Sequence, residues 1–395
     1  MKYNRLNISN GLIVFLMIPF FEPAFFGAIP IINSIYYFWS LASMFLIFFI
    51  YIFYSKKSGF MSILILFQLI YFLSSIVNHS LYSYFVVSTL HLIALCMMVY
   101  ISIVHNKAIF ILKTIFWILA PQVLIHIITR IISPNGLLLN NRGIPVYFLE
   151  ADNSVSKTIL LFIVVGILYL VMTKKKSILY TTFIYIGVFT IIYSWSATGL
   201  GGLIILGISL FFLYLRNMYK VIGIKQLILS WLVIYYLIVI KRAQEIFSFF
   251  IVDILHKDLT FHGRTLIWDV AFKAIQDSLG NWKTLLFGYG VRRIPIIYEI
   301  TGYRLHSHNE ILEIILKAGF VGLVVFLVLL FIITHKISKF KNSKITVVIS
   351  CAIFSFLIMA ITDLNFYPEF FVILTFASTI NLLIEQSIYR TVSGK

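Results

Sequence analysis

Charge is what this sequence lacks. Asp, Glu, Lys and Arg make up only 11% of its 395 residues, against roughly 25% in an ordinary soluble domain. Hydrophobic residues fill 61% of the chain and mean hydropathy is +1.01, which excludes a conventional water-soluble globule. Cysteine is nearly missing too. Cys96 and Cys351 both lie in apolar runs, so neither a disulfide framework nor a thiolate metal site is expected. Acidic residues number 14 against 31 basic ones, and the sequence shows no internal repeat or low-complexity segment.

What the chain does have is a succession of apolar runs. A bilayer core of about 30 Å needs roughly 20 apolar residues per helix. About twelve such runs are read, near 11–32, 35–54, 59–77, 84–104, 108–129, 157–173, 177–194, 199–215, 222–240, 309–333, 345–362 and 369–387. The expected fold is an all-α polytopic membrane protein, one membrane domain over residues 1–395. The first run is the weakest, because Pro19, Glu22, Pro23 and Pro30 interrupt it. It follows Lys2 and Arg5 like a signal peptide, but no small-x-small cleavage site follows, so it is read as a retained helix.

Lysine gives the orientation. Lys56, Lys57, Lys107, the triplet at 174–176, Lys220, Lys225, Lys336, Lys339, Lys341 and Lys344 fall on one alternating set of connections, with both termini. By the positive-inside rule that face is cytoplasmic, so the net charge of +17 calls for no nucleic-acid partner. A basic juxtamembrane ring also suits anionic membrane lipid. Twelve of the 14 acidic residues fall on or near the opposite face, leaving Glu22 and Glu385. Two extracytoplasmic connections are long, 130–156 and 241–307, and long connections are usually functional. The larger is expected to hold short amphipathic helices, one at 264–279 with Leu266, Ile267, Val270, Ala271, Ala274 and Ile275 on its apolar face, and another at 243–256.

Topology does not explain Arg130, Arg142, Arg264, Arg292, Arg293 and Arg304 on the outer side. Arginine offers a planar fork of donors suited to phosphate, so the set points to an anionic ligand, with lipid headgroups or ion pairs as the alternative. The stretch "RLHSHNEILEIILKAGFVGL" collects Arg304, His306, His308, Asn309, Glu310 and Glu313 at the head of a span. Three readings stand for its histidines: a metal cluster with Glu310, a structural cap, or a general base near working pH. A metal would need an extended segment and ligands from elsewhere, since alternate residues at a helix start diverge by about 200°. Glu313 can pair with Lys317, and Gly319 and Gly322 form a small-residue patch for close packing beneath the site.

The run His308, Asn309, nine residues, then Gly319-x-x-Gly322 resembles the signature of the O-antigen ligase and polymerase superfamily, the WaaL- and Wzy-type membrane glycosyltransferases. "FHGRTLIW", with Gly263, Arg264 and Trp268, is similar to that family's Gly-Arg…Trp segment. "LLFGYGVRR" is similar to its Gly-x-Gly turn through Gly288 and Gly290, and the loop around Arg142 to its earlier Arg-containing loop. One departure is Ala197, where many members carry Arg at the opening of the eighth span. The resemblance implies a GT-C-like fold, with the helix 309–333 following the catalytic motif and the active site outside the cytoplasmic membrane. It implies an undecaprenyl-diphosphate-linked oligosaccharide donor and acceptor, and no metal or other cofactor. His308 would be the base, and Arg142, Arg264, Arg292, Arg293 and Arg304 would hold the donor diphosphate. His306, Asn309, Glu310, Glu313, Trp268, Gly319 and Gly322 would support them. A flippase and a chain-length regulator are expected as partners. The Ile-, Phe-, Lys- and Asn-rich composition tilts the reading to a capsule or exopolysaccharide repeat-unit polymerase over a ligase. From other classes, a flippase would place charge at mid-membrane, and a non-catalytic subunit would leave the Arg and His set without a task.

Overall fold

The computed structural model describes residues 8–139, 143–248, 259–260, 263–302 and 306–392. Helix dominates because a backbone in lipid must satisfy its own polar groups, and an α-helix does so within one segment. In the first half the helices are α1 (Asn10–Met17), α2 (Ala24–Gly27), α3 (Pro30–Tyr54), α4 (Gly59–Val77), α5 (Ser83–Val104), α6 (Ala108–Ile132) and α7 (Asp152–Thr173). Then come α8 (Ile178–Ser194), α9 (Ala197–Ser209), α10 (Ile224–Tyr235), α11 (Arg264–Asp277), α12 (Trp282–Phe287) and α13 (Ile296–Thr301). Last are α14 (Glu310–Ser338), α15 (Lys344–Thr362), α16 (Pro368–Ser378) and α17 (Ile380–Val392).

Among the described residues, eight helices are long and apolar enough to cross a membrane, or nine when α16–α17, bent by 65°, is counted as one span. Three further apolar helices, Asn10–Phe21, Ile178–Ser194 and Ile224–Ile240, are shorter than that length, where about twelve spans were expected. The chain is a polytopic all-α membrane protein.

The first run departs from expectation. It is not one helix over 11–32: it stops at Phe21, the single turn α2 follows, and the next long helix starts at Pro30, inside what was read as the same span. The residue before a proline is pushed out of the α region. Accordingly Glu22, before Pro23, and Ile29, before Pro30, are both extended. The exposed backbone is then used elsewhere, with Ala24 N and Phe25 N donating to Leu149 O and Phe148 O. Those acceptors belong to the connection after α6, where Leu138–Leu139 and Pro145–Val146 pair as a short antiparallel ribbon.

A second departure lies in α14, whose helix runs to Ser338 but breaks at Gly319, with φ 65° and ψ −167°. Only glycine enters that region without strain. The break lets α12 press backbone to backbone on α14, since a Cβ on Gly319 would stand 2.2 Å from Leu286 O. Gly322 packs on Ala318 and Ile314 of its own helix. The carbonyls near the break find outside donors: Tyr289 N reaches Leu316 O at 2.7 Å and Ser74 Oγ reaches Lys317 O at 2.7 Å. Ser74 Oγ also bonds Phe287 O, and Asn78 Nδ2 bonds Gly288 O at 3.1 Å. The end of α4 thus clamps α12 and α14 together.

In the long connection before α14, α11 forms where an amphipathic helix was expected. It buries Ile267, Trp268, Ala271 and Ala274, while Leu266, expected on that face, is exposed. Most of the other expected piece, 249–256, lies outside the described residues. The two ends of the bundle differ in chemistry. At one, Lys57 donates to Tyr51 O, Lys107 to Ile8 O and Lys341 to Lys220 O. At the other collect His308, Asp363, Lys157 and five glutamates.

Candidate active site

The histidine stretch is built by its neighbours, not by the helix it precedes. Asn309 caps α14: its Oδ1 accepts from Leu312 N at 3.0 Å and from Tyr235 OH at 3.2 Å. Its Nδ2 donates to Ile361 O at 2.9 Å, which ties the motif to the last turn of α15. A side-chain oxygen at this position satisfies a helix N–H that would otherwise be orphaned. His308, one residue earlier, has φ 51°. A bulky residue in the left-handed region is strained, and it persists only when the surroundings over-determine it.

Two buried glutamates supply that determination. Glu313 Oε2 accepts from Ser307 N at 2.9 Å and Ser307 Oγ at 2.8 Å, while its Oε1 pairs with Lys317 at 2.9 Å. Glu310 Oε2 accepts from Asn365 N at 2.7 Å and Phe366 N at 3.0 Å. One carboxylate therefore pins the segment before His308, and the other pins the loop between α15 and α16.

That loop carries Asp363, which the sequence reading did not single out. Its Oδ1 lies 3.4 Å from His308 Nδ1 and accepts from Leu364 N at 2.8 Å. The His308–Asp363 contact is at ion-pair distance and is not aligned as a hydrogen bond, leaving Nδ1 buried. Burial pushes the Asp363 carboxyl up, but His308, Lys157 and Arg264 outweigh it and hold the group down at about 2. Asp363 is thus a fixed negative charge at any working pH. His306 stacks near His308 with ring centroids 4.0 Å apart, and its Nδ1 accepts from His308 N at 3.3 Å. Burial, then the neighbouring His308, pulls its imidazole down to about 4, so His306 is neutral at pH 7.

Two cations face this pair. Arg264, at the start of α11, reaches Thr198 Oγ1 at 3.4 Å and acts on Asp363. Lys157 is buried and sits 3.7 Å over the ring of Tyr367. In the sequence it looks like the first residue of a span; the signal that could have found it is a lone lysine in the acidic, lysine-poor set of connections. Near Ala197, Arg130 donates to Ser194 O at 3.2 Å and stacks on Tyr147 and Tyr193. Trp268 is fully buried beneath the guanidinium of Arg242, which pairs with Asp269 at 2.6 Å.

The remaining arginines fall differently. Arg292 is ion-paired with Glu299 at 2.6 Å, and Arg293 is exposed. Arg142 and Arg304 lie outside the described residues. For a metal, the two conditions set by the sequence are both met: His306 and His308 are not helical, and Asp363 comes from elsewhere. One ligand atom from each lies within 4.8 Å of the others, so this trio could hold a divalent ion.

A bundle of apolar helices with a histidine, a carboxylate and two cations gathered at one end defines a polytopic membrane protein with a charged site. Residues 161–327 match the family described as O-antigen ligase, which supports the resemblance to the O-antigen ligase and polymerase superfamily. The match spans α7 into α14 and includes Arg264 and His308; Asp363 and Lys157 stand outside it. No curated protein matches the chain.

Proposed function

We propose that the protein is a membrane glycosyltransferase that polymerises undecaprenyl-diphosphate-linked oligosaccharide repeat units at the outer leaflet of the cytoplasmic membrane. The observation that carries this reading is His308, held 3.4 Å from an ionised Asp363 beside Arg264 and Lys157. With Nδ1 turned to Asp363, the His308 proton sits there and Nε2 is the base. The acceptor sugar hydroxyl gives its proton to Nε2 as its oxygen attacks the donor's anomeric carbon. The bond from that carbon to the diphosphate breaks, and the lipid diphosphate leaves with the electron pair. Asp363 stabilises the imidazolium so formed. Negative charge grows on the leaving diphosphate, and preorganised cations stabilise such developing charge. Arg264 and Lys157 supply it, joined by Arg142 and Arg304. Arg292 and Arg293 belong to the rim, because one is committed to Glu299 and the other is exposed.

Both termini are cytoplasmic in this reading and the site is extracytoplasmic; the gathering of Lys57, Lys107 and Lys341 at the opposite end supports it. Each unit would reach the site from a flippase, and a chain-length regulator would set the product size. The scheme uses no metal, and an ion in the His306, His308 and Asp363 trio would occupy the base. The family's description as ligase favours a second reading, in which the same groups move the glycan to a different acceptor. Purified full-length protein, given a synthetic lipid-diphosphate repeat unit as both donor and acceptor, should yield a ladder of longer glycans. Transfer only to an added foreign acceptor would select the ligase; no transfer to any acceptor would overturn both.

A further inference from the structure

Beside the His308 site lies a cavity of about 700 Å³ that the scheme above does not use. Small-molecule sites run to roughly 300–1,000 Å³, so it has room for a ligand. Among the described residues its walls carry Glu22, Glu150, Glu310, Glu313 and Glu369 against a single cation, Lys317, which is already paired with Glu313. No arginine lines it among the described residues. Aromatic rings, Phe67, Tyr71, Tyr82 and Tyr367 among them, complete the wall.

An acidic wall is not by itself a site. The second observation is Gln68, midway along α4, which is 8% exposed, lines this cavity, and has no hydrogen-bond partner among the described residues. An amide in an apolar span without a partner is costly. Glu22 and Gln122 line the same wall, each with one buried oxygen, Oε1, that makes no hydrogen bond. Three polar side chains from separate elements thus line one space. Burial and Glu369 push the Glu150 carboxyl up to about 7, although Lys157 and Ser154 pull it down.

We infer that this cavity is a sugar subsite that takes uncharged or ammonium-bearing pyranose units and rejects phosphate and uronic acids. The chemistry follows from the wall. Carboxylates and amides accept hydrogen bonds from hydroxyl and ammonium groups, aromatic faces pack on the C–H faces of the ring, and five glutamates repel anions. The cavity shares Glu310 with the His308 site, since Glu310 lines it while holding Asn365 and Phe366 in the Asp363 loop. A sugar seated there adjoins the reacting bond. The inference rests on the proposed glycan transfer for its biological substrate, but its test is binding alone.

The test is saturation-transfer NMR on the full-length protein in lipid nanodiscs, with four probes: glucosamine, N-acetylglucosamine, glucuronic acid and inorganic pyrophosphate. The first two should bind. Gln68→Leu should weaken both by about tenfold, the equivalent of 1.4 kcal/mol, and Glu150→Gln should weaken glucosamine more than N-acetylglucosamine. Gln68→Leu removes an unpaired amide, so it should fold as well as wild type, and Glu150→Gln is the second, conservative variant. No transfer from either sugar to wild type, binding indifferent to both substitutions, or Gln68-dependent binding of glucuronic acid or pyrophosphate would overturn the inference. Sugar binding that persists in a protein unable to transfer glycans would strike the catalytic reading and leave this one standing.

Discussion

The loop between α15 and α16 separates two regions of opposite sign. On one side Lys157 and Arg264 face Asp363 and hold its carboxyl down. On the other, among the described residues, five glutamates line a cavity whose one cation is already paired, and burial, then Glu369, pushes the Glu150 carboxyl up. A chain with 11% charged residues has therefore gathered many of them at one end and sorted them there by sign. A diphosphate-linked glycan has the same division, an anionic leaving group joined to sugar hydroxyls. Opposite fields on either side of the base would hold each part where the other cannot bind.

That contrast can be broken from either side. The largest effect is expected from His308→Ala, since a positioned general base contributes roughly 10²–10⁴-fold; chain extension should fall by that factor while donor binding holds. Arg264→Ala should cost roughly 10²–10³-fold in the rate of transfer, the scale for one lost transition-state donor, and should leave N-acetylglucosamine binding unchanged. Gly319→Ala puts a Cβ 2.2 Å from a backbone oxygen at φ 65°. It should destabilise by roughly 1–3 kcal/mol, read as a lower midpoint in a detergent melting curve. Gln68→Leu should leave that midpoint at the wild-type value, because the amide makes no hydrogen bond within the described fold. The smallest effect on transfer is expected from chelator: EDTA should change the transfer rate less than about twofold, because the proposed scheme uses no ion. A loss restored by zinc would move the His306, His308 and Asp363 trio from base to metal centre.

The sequence disclosed what local spacing can disclose. Apolar runs of bilayer length gave the helices, and His308, Asn309 and Glu313 stood out because they crowd the head of one span. Asp363 did not stand out: it lies far along the chain from His308, where a lone Asp after a span resembles any loop residue. The Asn309 and Glu310 bonds to α15 and the following loop bring it in. Lys157 hid as the first residue of an apolar run. Gln68 hid as one amide in a lipid-soluble helix, because a cavity has no sequence signature. The prolines did mark the first run as weak, but the place where it breaks was set by the extended residue before each of them. Gly319 was legible as a packing residue and not as a helix break, since both uses call for the same missing side chain.

The most direct test of the account is the single-turnover rate of glycan transfer by His308→Ala beside its affinity for the lipid-linked donor. Transfer slowed by about 10²-fold or more, with donor affinity within twofold of wild type, is the result predicted. Transfer at the wild-type rate would contradict the assignment of His308 as the base.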